Sequence, residues 1–124
     1  MNPVFLGPKF TRELPRTVYR AEFDDCVIQI KENSRYRWLT FGDGVVQSAM
    51  EIDAPHALAL AYTNAMLAPL LFNPSPRRAL CLGLGGGGLP RYLYHALPEL
   101  EVESVDAHAG VVELARQFFE LPAE

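Results

Sequence analysis

The residues of this chain best suited to chemistry are a run of glycines, Gly83-Leu84-Gly85-Gly86-Gly87-Gly88, and one carboxylate, Asp106, about twenty residues beyond the start of that run. Glycine is needed where a chain turns sharply, where a ligand must approach backbone without a Cβ in the way, and where a helix packs close to a strand. The N–H groups that open a helix have no intrahelical partner and can face an anionic or polar ligand. A carboxylate at the end of the next strand can accept both hydroxyl protons of a ribose. Together these residues specify the adenosine half of a cofactor, but do not choose between a dinucleotide and S-adenosylmethionine. The competing reading is a flexible glycine linker with an incidental surface aspartate, and flanking elements decide against it.

Those elements follow from local composition. Ala79 to Leu82 is a short, wholly apolar run expected as a strand buried on both faces, and Leu89 to Leu97 is predicted helical. Glu101 to Asp106 is the next strand, with Glu99, Glu101 and Glu103 on a solvated face. A second helix over Val111 to Phe119 carries Val112, Ala115 and Phe119 on one side. Upstream, four β-rich segments, Thr17 to Glu22, Cys26 to Lys31, Arg35 to Phe41 and Val45 to Met50, are separated by polar turns, of which Gly42-Asp43-Gly44 is the strongest. Trp38, Tyr36 and Phe41 fall on both faces of the third segment and are expected to pack there or against a partner. Between the halves, Asp53 stands as an N-cap and Pro55 fits a first helical turn. Ala57 to Leu71 is apolar enough to predict a helix covered on more than one side, kinked or ended by Pro69.

The expected fold class is therefore α/β: a small N-terminal antiparallel β-meander, then the first β-α-β-α part of a Rossmann-like sheet. The division is residues 1–50 for the strand domain, 51–76 for the bridging helix and linker, and 77–124 for the incomplete nucleotide-binding domain.

Composition narrows the function. Eleven Lys and Arg against fifteen Asp and Glu give a formal net charge of -4, with no basic cluster to neutralise phosphates, so nucleic acid is not an expected partner. The longest apolar run is interrupted by Tyr62, Thr63, Asn64 and Pro69, so no membrane span is expected. Cys26 and Cys81, each in a predicted strand, suit a reducing, cytoplasmic compartment better than a disulfide framework. No Cys or His has a spacing that completes a metal site, so no metal is expected, and His95 and His108 are read as surface or half-buried helix-end residues.

From about Val27 to Pro122 the sequence resembles the spermidine synthase-like family, the polyamine aminopropyltransferases. Asp43-Gly44-Val45-Val46-Gln47-Ser48 looks like the family's hairpin signature. Gly83 to Gly88 falls at its glycine loop, and Val105-Asp106 at its ribose-binding acid, usually Glu. Val111-Val112 continues the following helix, and Phe118-Phe119-Glu120-Leu121-Pro122 is similar to a variant bacterial branch. The resemblance implies that the Rossmann-like sheet is of the class I methyltransferase type, in a transferase that moves an aminopropyl group from decarboxylated S-adenosylmethionine to a small-molecule amine of the polyamine class. It implies that Gly83, Gly85, Gly86, Gly87 and Gly88 shape the cofactor loop, Asp106 holds ribose, Gln47 lies near cofactor or acceptor, and His56 near the substrate. An S-adenosylmethionine-dependent methyltransferase-like protein, or a non-catalytic nucleotide-binding module, are the alternatives.

The sequence also departs from that family. Gly86 stands where the family carries an aspartate for the aminopropyl amine. Pro55-His56-Ala57 replaces a Tyr-His-Glu cluster, and Asp25 falls near a donor-binding glutamine. The family's catalytic aspartates follow later strands, so no catalytic residue is assigned. The chain is expected to be inactive alone, and either to continue past Glu124 or to complete its sheet with another copy.

Overall fold

The computed structural model describes residues 14–122. Four strands, β1 (Arg16–Glu22), β2 (Val27–Glu32), β3 (Tyr36–Thr40) and β4 (Val46–Glu51), form an antiparallel meander in chain order. Each lies within a residue or so of the expected segment because the turns are chemically specified. Gly42 and Gly44 take φ of 91° and 76°, and Asp43 Oδ1 between them accepts the Val45 N–H at 2.9 Å. Asn33 Oδ1 likewise accepts the N–H groups of Arg35 and Tyr36, fixing the β2–β3 turn.

A parallel pair follows, β5 (Arg78–Leu82) beside β6 (Glu101–Val105), linked by helix α2 (Gly88–Ala96) and succeeded by α3 (Ala109–Phe118). The α/β class and the Rossmann-like start are as expected. Between β4 and β5 lie a five-residue helix, α1 (Ala61–Ala65), and a 3₁₀ turn at Ala68–Leu71.

One core joins the two halves. Ile28, Ile30, Leu39 and Met50 on one face of the meander meet Val111, Leu114, Ala115 and Phe119 from α3 and its end, with Leu84 of the glycine loop. Each such large side chain, removed from water, contributes about 1.5–3 kcal/mol. The buried stripe of α3 is thus Val111, Leu114, Ala115 and the following Phe119, with Val112 partly buried against it. Trp38, Ala49 and Leu60 form a second cluster on the opposite face, with Tyr36 beside it, while Phe41 packs on the first. The aromatics of β3 do divide between its faces.

Two expectations fail. The predicted helix over Ala57 to Leu71 is broken into α1 and the 3₁₀ turn, and its first residue follows Leu60 rather than Asp53. A segment this short gains stability from packing rather than propensity. Here only Leu60 and Thr63 are buried, while Leu71 and Phe72 are 83% and 90% exposed. Pro69 removes a backbone donor where the chain tightens. The second failure concerns β5. Its Ala79 and Cys81 are half-buried, but Leu80 and Leu82 are 60% and 80% exposed, level with Glu103 and Val105 of β6. One face of the parallel pair is open because both helices leave it uncovered: α3 turns its apolar stripe to the meander.

Candidate functional site

The glycine loop leaves β5 with the Gly83 N–H bonded to Val105 O at 2.7 Å, which extends the parallel ladder by one step. The Gly87 N–H then bonds Leu84 O at 2.9 Å, closing a tight turn. Gly83, Gly85 and Gly87 have φ of 83°, 55° and 71°, and Gly87 is the N-cap of α2. At Gly87 the requirement is double, since an added Cβ would also lie 2.8 Å from Leu121 Cδ1.

Gly86 is glycine for steric reasons alone. A Cβ there would sit 2.8 Å from Ser48 Oγ and 3.0 Å from the fully buried Phe119 ring. The space in which an aspartate would stand is filled by the hairpin serine and the core phenylalanine.

Asp106 reaches back across the loop. Its Oδ2 accepts the Leu84 N–H at 2.8 Å and its Oδ1 accepts the His108 N–H at 2.9 Å. The carboxylate therefore holds the glycine loop to the β6–α3 loop. An ionised carboxylate offers about four lone-pair positions, so two remain for a ligand.

These groups face a cavity of about 830 Å³ between the bridging segment, the β4 end and β5. Gln47, Gly83, Gly85, Gly88 and Asp106 all line it. Gly86 and Gly87 do not; they are buried and serve the loop's packing. His56 is also absent from the lining: it is exposed and stacks on His95, ring centroids 3.9 Å apart and 2° from coplanar. Tyr62 lines the cavity and donates from its hydroxyl to Gln47 O at 3.1 Å, and burial raises its phenol above the ordinary value.

Two contributors were not singled out from sequence. Ser48 lines the cavity beside the loop. Arg91 is 2% exposed and spans three backbone oxygens: Nη1 donates to Gly86 O at 2.9 Å and Phe119 O at 2.7 Å, and Nε to Pro55 O at 2.5 Å. Desolvation pushes its guanidinium down to about 10, still charged at neutral pH. An arginine among the apolar residues of a first helical turn, Leu89-Pro90-Arg91, was the available signal.

Both cysteines are free, and burial raises each thiol, with Asp25 adding to the effect at Cys26. Among the described residues no helix is long and apolar enough to cross a membrane.

A cavity of this size falls within the range of about 300–1,000 Å³ usual for small-molecule sites. Strand, glycine turn, helix and strand, closed by a carboxylate, define an α/β protein with a Rossmann-like start. Comparison by sequence specifies the family. The chain is 39% identical over 97 residues to a polyamine aminopropyltransferase of Chromobacterium violaceum, covering 78% of this chain and 37% of that protein. It is 23% identical over 119 residues to a spermidine synthase of Coffea arabica, 96% of this chain and 36% of that one. Over 61 residues it is 41% identical to an eEF1A lysine and N-terminal methyltransferase homolog of Drosophila pseudoobscura pseudoobscura, 47% of this chain and 9% of that one. No protein-family model and no solved structure matches. Over the stretch that matches, the chain belongs to the polyamine aminopropyltransferase, or spermidine synthase-like, family. It spans little more than a third of the length of these two synthases.

Proposed function

We propose that this chain is the donor-binding part of a spermidine synthase-like transferase that moves an aminopropyl group from decarboxylated S-adenosylmethionine to a polyamine in the cytoplasm. The observation that carries the reading is the convergence of Gln47, Gly83, Gly85, Gly88 and Asp106 on one cavity from three separate elements. The residues fit such a donor. Gly83 has open space where a Cβ would stand, Asp106 keeps acceptor capacity for ribose hydroxyls, and the apolar wall from Leu58 to Leu70 can exclude water from the sulfonium region.

The donor supplies a sulfonium. The acceptor nitrogen's lone pair forms a bond to the adjacent methylene carbon, the C–S bond breaks with its electron pair going to sulfur, and the new ammonium releases a proton. Gln47 and Asp106 orient the donor for that attack; deprotonation is not assigned to a residue of this chain.

Calorimetric titration with decarboxylated S-adenosylmethionine, S-adenosylmethionine and methylthioadenosine tests the reading. Clear preference for the decarboxylated donor is expected. Equal or better binding of the carboxylated donor would replace it with methyl transfer, the second reading, which Gly86 and the match to a methyltransferase homolog favour. Binding of none of the three would leave a non-catalytic module.

A further inference from the structure

We propose that Asp25, Cys26 and His108 form a zinc site that clips the β1–β2 turn to the β6–α3 loop. The three side chains come from opposite halves of the fold, and the atoms they offer all lie within 4.8 Å of one another. Chain spacing gave no hint of this, because His108 is remote from the other two in sequence and only the packing of α3 on the meander brings it there. The earlier expectation of no metal rested on that spacing alone.

The donor set argues for the ion. Thiolate sulfur, imidazole nitrogen and one carboxylate oxygen match zinc, whereas magnesium and calcium take oxygen ligands throughout. Tetrahedral zinc, with bonds of about 2.0–2.3 Å, places its ligand atoms about 3.3–3.8 Å apart. Closing from 4.8 Å is a matter of side-chain rotation, and Asp25 is exposed and Cys26 and His108 only half-buried. Three protein ligands leave a fourth position for water.

A second observation is independent of the cluster. His108 Nδ1 is buried without a hydrogen-bond partner. The ring is held by packing, edge-on to Phe23 with centroids 4.5 Å apart and against the backbone at Gly110, where a Cβ would lie 3.1 Å from Cε1. A buried nitrogen without a partner forfeits the hydrogen bond it had in water, a cost that a metal bond to Nδ1 itself would offset. His108 also donates its backbone N–H to Asp106. A metal on its ring would stiffen the loop on which Asp106 sits, although the site stands whether or not the cavity binds a sulfonium donor.

The test uses the metal-free, tag-free chain titrated with Co²⁺ and then Zn²⁺. One ion per chain is expected, with a thiolate-to-cobalt charge-transfer band and tetrahedral ligand-field absorption that zinc abolishes. Cys26→Ser should remove the band, and Cys26→Ser and His108→Gln should each weaken zinc at least about a hundredfold, beyond the effect of outer-shell partners. Cys81→Ser should leave band and affinity intact. Circular dichroism checks that each variant is folded; if Cys26→Ser is not, His108→Gln gives the same readout. A band that survives Cys26→Ser, or zinc affinity unchanged in His108→Gln, would overturn the proposal.

Discussion

Replacing Asp106 by alanine should destabilise the chain itself, apart from any effect on a ligand. Its two oxygens hold the Leu84 and His108 N–H groups at 2.8 and 2.9 Å, and alanine leaves both donors without their acceptor. Hydrogen bonds to a charged group are worth about 1.5–3 kcal/mol each, about 3–6 kcal/mol for the pair. Asp106 is half-buried, so water can replace part of the loss, and about 2–4 kcal/mol is the expected net cost. For a domain of this size that is a fall in Tm of roughly 6–20 °C. Asp106→Asn keeps one acceptor oxygen but turns an amide NH₂ toward the other N–H, and should lose about half as much. Urea and thermal unfolding followed by circular dichroism measure both. A stability of Asp106→Ala within about 0.5 kcal/mol of the parent, the scatter of surface substitutions, would refute the argument that this carboxylate ties the loop. The asparagine variant is accordingly the better one for ligand titrations.

Two other perturbations follow from the geometry. Gly86→Ala should cost about 1–3 kcal/mol by overpacking against Ser48 and the Phe119 ring, read from the urea midpoint; an unchanged midpoint would mean that the loop yields freely. Glu32 is held below its ordinary value of 4.5 chiefly by its hydrogen bond to Arg16, with Arg37 reinforcing, so its contribution is full above that value and is lost as pH falls through the lower folded one. Glu32→Gln should therefore flatten the decline in stability below about pH 4.5, and an acid limb identical to the parent's would show that Glu32 does not produce it.

What could be read from the sequence was what neighbouring residues determine. The meander is punctuated by Asn33 and by Gly42-Asp43-Gly44, whose side-chain caps and positive φ act within three residues, so its strands were legible nearly to their ends. The loop and Asp106 were legible because strand, turn and acid recur at a short fixed interval. The bridging segment was not, because Ala57 to Leu71 is apolar without a stripe and hydrophobicity alone cannot say whether cover exists. Nor could residue type separate Gly88, which lines the cavity, from Gly86, which only fits between Ser48 and Phe119. Arg91 and the Asp25, Cys26 and His108 group depend on tertiary approach, to which no local pattern corresponds.

The end of α3 has a mechanical consequence. Arg37 of the meander donates to Phe118 O at 2.7 Å, and Arg91 of α2 donates to Phe119 O at the same distance. Two cations from different parts of the fold thus grip the negative pole of one helix. Pulling the strands away from the glycine-loop half would break the Arg37 grip on Phe118 O, while Arg91, which lies in the same half as α3, would keep its hold on Phe119 O. The helix end therefore stays half-capped when the two halves part, because Arg91 ties α2 to α3 within one half whereas Arg37 ties the meander to it.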